Sequence, residues 1–548
     1  MIGRPIYPGQ NDVTRFQITG RVAAAALLLA AWPAQGQDFS AERLSQGVRS
    51  ISSDAFAGRY PGELGEGMTL GWLIAQYEAL GLEPGGPDGE WLQPVDLGRY
   101  APARPATATW RAGGDVHPLE NGVLLRAASN DGRAQVSGAP VVFAGYGIHA
   151  PERNWDDYGD IDVAGAVVVV MAGEPDGDLF NGEYRTAHAS DSAKAAEAYR
   201  RGAVGVLTLV NAGADEPAWA RRAQFNDRQR TLSPGNDDLE FTGAVLAATF
   251  GQWAEAAGRS LDDLTGDVAG EGFRAVALEG VSLDVDAEET VETQRSWNLL
   301  ARIPGTEQPE ETIVFSAHWD HVGVREGGEG DHIYNGAWDN ASGTVGLVEM
   351  ARELKAAGPF ERSIVFLHVT AEEQGLLGAF WYAAHPVYPL ETTVANINID
   401  MLPLSAPTRD LPIFGLGQNT LEDELQTLAE AEGRYVTDDG QPEQGFYYRS
   451  DHFAFARAGV PALMPWHGVD LDEGGREVGL PAYQAKFRSD YHQPSDEWSE
   501  DLDFSSAVEN LTLLYRLTVD LADSDRWPGW KPTSEFGAVR ARSAASRE

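Results

Sequence analysis

The chain has 548 residues, of which 43% are hydrophobic and none is cysteine, and its formal net charge is −42. This length predicts two or three domains, because single hydrophobic cores stop growing beyond about 250–300 residues. The charge excludes a nucleic-acid partner, which needs a basic face, and the lack of cysteine excludes disulfides and thiolate metal ligands.

The N-terminus has the composition of an export signal. Arg15 and Arg21 precede an apolar run at 22–32, and Ala34-Gln35-Gly36 supplies small residues for cleavage. This order is typical of a secretory signal peptide, so we expect cleavage after Gly36 and a periplasmic or extracellular protein. The alternative is an uncleaved signal anchor, although the run is too short to span a bilayer comfortably. No other stretch predicts a transmembrane helix.

Residues 37–111 predict the first part of one domain. Residues 39–60 indicate a helix followed by a loop, and residues 68–80 have apolar spacing near 3.6 and stop at Gly81. The segment EWLQPVDL, at 90–97, predicts a strand.

Residues 112–285 predict a smaller β/α domain inserted into the first. Strand-like runs at 138–148, 164–174 and 202–210 alternate with turns, and residues 191–201 predict a helix. The polar stretch at 211–238 predicts a loop. The block contains no clustered ligand set, since its histidines are single and far apart: His117, His149 and His188.

Residues 286–522 predict the second part of the larger domain. From Trp297 onward, strands and helices alternate, which indicates a mostly parallel sheet with helices on both faces. Residues 523–548 have no periodicity and predict a loosely docked or disordered tail.

Groups of His, Asp and Glu follow the apolar strands of this second part. The strand at 312–317 leads into His318, the strand at 363–369 precedes Glu372-Glu373, and the strand at 396–399 ends at Asp400. In open α/β sheets, ligands bind beyond the carboxyl ends of the strands. Buried carboxylates and imidazoles are costly without a partner, so this pattern predicts a metal centre.

Three further residues extend the predicted centre. Asp320 is near enough to His318 to accept the proton of its other ring nitrogen, an arrangement that fixes the tautomer of a metal-binding histidine. Asp339 precedes a helix at 342–357 and could bridge two metals, and His492 lies in a downstream loop. Because adjacent carboxylates point in different directions, one of Glu372 and Glu373 can bind metal while the other moves a proton.

These segments resemble the co-catalytic di-zinc aminopeptidases (peptidase clan MH), which share a three-layer α/β/α fold. The matching motifs, in chain order, are HxD (318–320), NGAxDNASG (335–343), TAEEQGLLG (370–378), NID (398–400), SDHFAF…AGVP (450–461) and YHQPSDE (491–497). SSDAFAGRYPGELG and LGLEPGG near the N-terminus also resemble these enzymes. Each motif alone is weak, but six in the right order are specific.

The resemblance implies two zinc ions per chain and five ligands: His318 and Asp400 for one ion, Glu373 and His492 for the other, and Asp339 as the bridge. It gives Glu372 the role of general base and acid. It gives Tyr447, or Tyr448 beside it, that of supporting the tetrahedral intermediate. Trp338 departs from the pattern, because an acidic or small residue often precedes the bridging Asp, and this affects the expected pocket shape. His321 is the expected partner of a ligand.

The inserted block carries a second resemblance. FAGYGI, DDYGDIDVAGAVVVVMAGEP and KAAEAYRRGAVGVLTL resemble a protease-associated domain. By analogy alone, such a domain covers the active site or helps to select the substrate.

The favoured hypothesis is a secreted aminopeptidase acting on peptides, with zinc or another divalent ion such as cobalt or manganese. A carboxypeptidase or dipeptidase remains an open alternative. Such an enzyme needs a cation for the terminal carboxylate, and Arg449 and Arg476 are candidates for it. A one-zinc cyclase fits less well, since both carboxylates for a second ion are present. A non-catalytic binding protein would be expected to lose ligands or the general base.

Overall fold

The computed structural model describes residues 38–543, except 120, 214–215, 217–218, 220–227, 232–238, 267, 271, 326 and 328–329. The predicted signal peptide at 1–36 and much of the predicted loop at 211–238 lie outside this part of the chain. Within it, no helix combines the length and the apolar character that crossing a membrane requires.

The helices are α1 (Ala41–Ile51), α2 (Leu64–Leu80), α3 (Asp191–Arg200), α4 (Ala247–Ala256), α5 (Leu261–Thr265), α6 (Ser342–Ala357), α7 (Leu377–Ala384), α8 (Leu421–Ala431), α9 (His452–Arg457), α10 (Gly475–Asp490), α11 (Ser505–Ala522) and α12 (Gly537–Ser543). The predicted stop of α2 is confirmed. Gly81 adopts φ 72° and ψ 30°, a left-handed conformation that favours glycine at a helix end.

The strands are β1 (Glu83–Pro84), β2 (Leu92–Pro102), β3 (Thr107–Ala112), β4 (Asp115–Pro118), β5 (Val123–Ala127), β6 (Arg133–Phe143), β7 (His149–Ala150), β8 (Trp155–Asp156), β9 (Val167–Met171), β10 (Gly205–Val210), β11 (Arg228–Thr231), β12 (Phe241–Leu246), β13 (Val276–Ile303), β14 (Gln308–His318), β15 (Gly323–Val324), β16 (Ile333–Tyr334), β17 (Arg362–Val369), β18 (Thr393–Asn398), β19 (Asp410–Ile413), β20 (Tyr435–Asp438) and β21 (Ala462–Leu463).

The larger sheet confirms the predicted α/β architecture. Strands β21, β18, β14 and β17 are neighbours in this order and parallel, and β13 and β2 extend the sheet antiparallel. Alternate residues of β14 face opposite cores: Phe315 packs with α1, α2, α6, α8 and α11, whereas Val314 packs with α7 and α9. Helices therefore cover both faces, which gives three layers.

One strand runs through both sheets. The 28 residues of β13 pair first with β3 and β6, then with β2 and finally with β17. The strand predicted from Trp297 thus begins at Val276, and the border predicted at 285/286 falls inside it. The extension has a signal in the sequence, because apolar residues stand at every second position in Val281, Leu283 and Val285, and all three are buried.

The middle segment forms its own sheet, in the order β13-β6-β9-β10-β12-β5. Val167 and Val169 of β9 face one hydrophobic core, and Val168 and Val170 face another. The segment is therefore packed on both sides of its sheet. Its identification as a protease-associated domain stays a prediction.

The prediction of a loosely docked or disordered tail is wrong for residues 523–543. Phe536 is only 3% exposed and packs against Trp530, with ring centroids 5.1 Å apart. The Trp530 indole donates to the Gly459 carbonyl at 2.8 Å, and Arg540 donates to the Thr393 carbonyl at 2.9 Å. Large aromatic side chains bury enough area to hold an irregular segment, and such a segment has no period to detect.

Phe536→Ala is expected to lower the free energy of unfolding by about 3–5 kcal/mol, because it removes a buried aromatic ring. The change is measured as a lower thermal midpoint. Leu64→Ala, at a residue 74% exposed, is the matched control and should change stability by less than about 0.5 kcal/mol. Equal midpoints for the two variants would show that the tail contributes no stability.

Candidate metal centre

The predicted ligand segments lie at the carboxyl ends of three adjacent parallel strands. His318 is the last residue of β14, Asp400 follows β18, and Glu372 and Glu373 lie in the turn after β17. Their closeness follows from the pairing of β14 with β17 on one side and β18 on the other.

The first imidazole is buried among carboxylates. His318 is 1% exposed, and its Nε2 lies 3.2 Å from Asp400 Oδ1 and 3.3 Å from Asp339 Oδ1. Glu372 Oε2 is farther away, at 3.9 Å from the same nitrogen. Asp400 and Asp339 are thus the closer pair, and Glu372 lies beside them.

The second imidazole mirrors the first. His492 Nε2 lies 3.1 Å from Asp339 Oδ2 and 3.1 Å from Glu373 Oε2. The two oxygens of Asp339 therefore face two different histidines. Two imidazoles and three carboxylates, with one carboxylate between the imidazoles, are donors that suit a pair of divalent ions such as zinc.

His321 joins this cluster from the protein side. It is fully buried, and its Nδ1 lies 2.6 Å from Glu373 Oε1, on the opposite side of that carboxylate from His492. His321, Asp339 and Glu373 have donor atoms close enough to share an ion. Of the two histidines, His492 contacts both carboxylates at 3.1 Å, so His321 fits better as the partner that orients Glu373.

Burial and mutual charge set the protonation of the cluster. Burial opposes ionisation of Asp339, but hydrogen bonds from His318 and His492 hold its pKa well below the ordinary value. Burial raises the pKa of Glu372 well above the ordinary value, and the charge of Asp400 adds to that rise. Asp339 is thus held as an anion, whereas Glu372 readily accepts a proton.

The Asp320 carboxylate was predicted to accept the proton of the second ring nitrogen of His318, and this prediction is wrong. His318 Nδ1 lies 3.1 Å from the main-chain oxygen of Asp320 but 3.9 Å from its carboxylate. The carboxylate instead accepts from the main-chain N–H groups of Glu372, at 3.1 Å, and Glu373, at 3.4 Å. Burial raises the pKa of Asp320 to about 7. Asp320 therefore positions the turn that carries both glutamates.

Tyr447 does not line the metal-ligand cavity, the cavity that contains the predicted ligands His318, Asp339, Asp400 and His492. It faces a separate cavity of about 360 Å³, and its ring packs against His452 and Phe536. The cause is the tight turn Phe446–Tyr448, in which residues three apart share a face. Phe446 and Arg449 therefore both face the metal-ligand cavity, and Tyr447 is turned away.

Tyr491 is the tyrosine of that cavity. Its ring stacks on His492 with centroids 3.9 Å apart, and its hydroxyl lies 3.5 Å from Arg449 Nη2. Burial raises its pKa, so the phenol stays protonated and can donate. In the sequence, its position directly before His492 in YHQPSDE could have indicated that Tyr491 lies in this cavity.

Trp338 supports the cavity from beneath. It is 1% exposed, its indole donates to the Leu402 carbonyl at 3.0 Å, and its ring meets Phe487 edge-on at 6.3 Å. The departure from the family pattern thus places an aromatic ring behind the cavity wall.

Two buried residues that sequence analysis left without a role support the loop of Asp339. Arg59 donates to four main-chain oxygens, those of Ile51, Trp319, Asn335 and Gly336. Burial lowers its pKa to about 10, while nearby carboxylates, Asp339 among them, oppose the shift. Asp496 accepts from the N–H of Trp338 at 2.8 Å and of Asp339 at 3.0 Å.

Ser450 supports Asp400 in the same way. Its Oγ donates to Asp400 Oδ2 at 2.7 Å and accepts from Asn398 Nδ2 at 2.8 Å. Ser450, Asp496 and Arg59 all lie in motifs that carried the family resemblance. Membership of a motif was thus the signal that could have found them.

Asp496→Asn is expected to weaken metal binding by about 10- to 100-fold, the usual cost of removing a group that orients a ligand. The amide keeps the size of the carboxylate but has only one oxygen for two N–H donors. Metal affinity is measured by competition with a chelator. Asp501→Asn, at an exposed residue nearby, is the control, and equal affinity in both variants would contradict the role of Asp496.

Three residues in or beside the ligand set have left-handed backbones. The φ angles are 54° at Ala371, 57° at Met401 and 54° at His492. None is glycine, so each costs free energy that the surrounding contacts must offset. These backbone turns direct Glu372, Asp400 and His492 toward the centre.

Comparison with known proteins finds a peptidase family over part of the chain. Residues 298–516 match the model of "Peptidase family M28". Aminopeptidase YwaD of Bacillus subtilis is 27% identical over 228 residues, which cover 40% of this chain and 44% of the relative. Leucine aminopeptidase 2 of Arthroderma otae is 26% identical over 231 residues, again 40% of this chain and 44% of the relative. The matched region therefore spans less than half of either relative.

Solved structures are similar over a longer part of the chain. An aminopeptidase from Aneurinibacillus sp. strain AM-1 covers 89% of this chain and 95% of its own, with 18% identity and a TM-score of 0.45. BSAP, a zinc aminopeptidase from Bacillus subtilis, covers 90% and 97%, with 21% identity and a TM-score of 0.42.

Proposed function

We propose, from the match of residues 298–516 to the model of peptidase family M28, that the chain is a zinc-dependent aminopeptidase. It hydrolyses the N-terminal peptide bond of peptides, with two divalent ions per chain. His318 and Asp400 would hold one ion, Glu373 and His492 would hold the other, and Asp339 would be shared between them.

The observation that carries this proposal is the placement of Asp339. Its Oδ1 lies 3.3 Å from His318 Nε2 and its Oδ2 lies 3.1 Å from His492 Nε2. A carboxylate that presents one oxygen to each histidine suits a two-ion centre better than a single ion. Relatives named as aminopeptidases support the reaction.

Glu372 is the proton carrier of the proposed mechanism. When bound, the two ions supply an acidified water and polarise the scissile carbonyl. Glu372 accepts a proton from the attacking water and passes it to the leaving amine. Its raised pKa suits a group that takes and returns a proton.

Tyr491 takes the role that the family resemblance gave to Tyr447. Tyr491 lines the metal-ligand cavity, its ring stacks on His492, and its hydroxyl lies 3.5 Å from Arg449 Nη2. A phenol that remains protonated there can donate a hydrogen bond to the oxyanion of the tetrahedral intermediate. Asp320, Arg59 and Asp496 act indirectly, by holding the segments that carry the glutamates and Asp339.

Export and domain organisation are part of the same proposal. Residues 1–36 are a signal peptide, and the mature protein works in the periplasm or outside the cell. Residues 112–285 are proposed as a protease-associated domain inserted between the two parts of the peptidase domain, 37–111 and 286–522, with its borders inside β3 and β13. Contact between this domain and the peptidase domain supports a role near the substrate, because the Tyr448 hydroxyl donates to the Arg185 carbonyl at 2.9 Å.

A carboxypeptidase or dipeptidase is the second candidate, and one observation favours it. Arg449 lines the metal-ligand cavity, where a guanidinium could bind a terminal carboxylate. Arg476, the other candidate from the sequence, is exposed on α10 and does not line this cavity.

The test measures hydrolysis of peptides that are free or blocked at each terminus, with and without chelator. The number of metal ions per chain is measured on the same protein. An aminopeptidase requires a free N-terminus, loses activity with chelator and holds about two ions per chain. Cleavage that needs a free C-terminus but proceeds with a blocked N-terminus instead supports the carboxypeptidase. Bound metal without cleavage of any peptide supports a binding protein that kept the fold.

A further inference from the structure

The metal-ligand cavity has an apolar wall and one cation. Its wall includes Phe414, Phe446, Trp466, Phe487 and Tyr491. Arg449 is exposed, with its guanidinium carbon 4.9 Å from the centroid of the Phe446 ring. The exposed arginine therefore lies beside the aromatic part of a cavity that also contains the predicted metal ligands.

Arg449 makes no ion pair with any residue that the structure describes. Its polar contact is with the Tyr491 hydroxyl, at 3.5 Å. The chain has 83 Asp and Glu residues against 41 Lys and Arg residues, so an arginine beside a cavity would readily find an acidic neighbour. The neighbouring cation Lys486, for comparison, pairs with Asp490 at 2.8 Å.

The backbone on both sides of Arg449 is fixed. Before it, the Tyr448 hydroxyl donates to the Arg185 carbonyl at 2.9 Å. After it, Ser450 donates to Asp400 Oδ2 at 2.7 Å, which ties the segment to a predicted metal ligand. The chain segment that carries Arg449 therefore needs little further ordering when the arginine binds a ligand.

The distance from Arg449 to the metal ligands is short. The Tyr491 ring stacks on His492 at 3.9 Å between centroids, and the Tyr491 hydroxyl is 3.5 Å from Arg449 Nη2. One side chain thus separates the guanidinium from a ligand. Consecutive Cα atoms are about 3.8 Å apart, so a carboxylate bound by Arg449 belongs to a residue next to the scissile bond.

We propose that Arg449 binds a substrate carboxylate next to the scissile bond and thereby selects dipeptides, whose C-terminal carboxylate lies there. This inference rests on the proposed peptidase function. An acidic side chain on the residue after the scissile bond presents the same chemistry. The guanidinium suits either, because it can donate two parallel hydrogen bonds to a carboxylate.

The test compares kcat/KM for Leu-Leu with that for Leu-Leu-amide in the metal-loaded full chain. The wild-type protein is expected to prefer the free acid by about 10- to 100-fold, the usual effect of a hydrogen bond to a charged group. Arg449→Gln should slow hydrolysis of the acid far more than that of the amide, and Arg449→Lys should keep part of the preference. Arg476→Gln, at the exposed α10 arginine, should keep all of it.

Leu-Asp-amide and Leu-Asn-amide distinguish the two sources of the carboxylate. A preference for Leu-Leu over its amide, lost in Arg449→Gln, supports the dipeptide. A preference for Leu-Asp-amide over Leu-Asn-amide, without one for the dipeptide acid, supports carboxylate binding but assigns it to the side chain. Equal rates for acid and amide and for the Asp and Asn amides overturn the inference and leave the peptidase intact. If the metal-loaded protein cleaves none of the four substrates, the proposed function is overturned as well.

Discussion

Glu372→Gln is expected to lower kcat by about 1,000-fold or more while the protein keeps its metal. The amide has nearly the same shape but cannot accept a proton, and general acid–base catalysis contributes about 10²–10⁴-fold. Glu372 Oε2 lies 3.9 Å from His318 Nε2, farther than the oxygens of Asp339 and Asp400, so its replacement should leave the ligands in place. Peptide hydrolysis and metal content are measured on the same sample.

Glu477→Gln, at an exposed residue of α10, is the control for the change of charge. It should retain wild-type activity and metal content. If Glu372→Gln holds its metal and cleaves peptides at the wild-type rate, the role of Glu372 as proton carrier is wrong. Loss of metal together with activity would instead identify Glu372 as a ligand.

Asp339→Asn is expected to reduce both metal content and activity, because this residue is the proposed bridge between the two ions. Replacing a group that only orients a ligand costs about 10–100-fold in metal affinity, and loss of a shared ligand should exceed that. Metal content should fall from about two ions per chain, and the stabilisation that metal gives against heat should shrink with it. Metal analysis and thermal unfolding, each with and without added zinc, measure these changes.

Asp490→Asn provides the matched control, since Asp490 lies two residues before His492 and pairs with Lys486. It should keep both ions. A protein with Asp339→Asn that still binds two ions at wild-type affinity would contradict the bridge and favour two independent sites.

The position of the ligands could be predicted because strand and ligand are adjacent in sequence. In β14 the apolar run ends at His318, and in β18 it ends next to Asp400, so the pattern of each strand also locates its side chain. The packing of helices on both faces followed from the alternation of strands and helices. These features depend on local order in the chain and on general rules of sheet topology.

The remaining roles depend on turns whose geometry the sequence does not reveal. The Asp320 carboxylate faces the N–H groups of Glu372 and Glu373 because of the backbone path after β17, where Ala371 has a φ of 54°. Tyr447 lines a different cavity from Phe446 and Arg449 because neighbouring residues of the tight turn Phe446–Tyr448 point in different directions. Long-range contacts, such as that of Phe536 with Trp530, have no periodic signal at all.

The shared strand β13 limits how the two sheets can move. A hinge needs a few residues whose dihedral angles can change freely, but β13 is paired with β6 and β3 at its start, β2 in its middle and β17 at its end. Swinging the middle sheet as a rigid lid would break that ladder. The pairing of β13 therefore makes the middle sheet a stiff extension of the larger sheet, and access to the predicted metal ligands should not require the two sheets to swing apart.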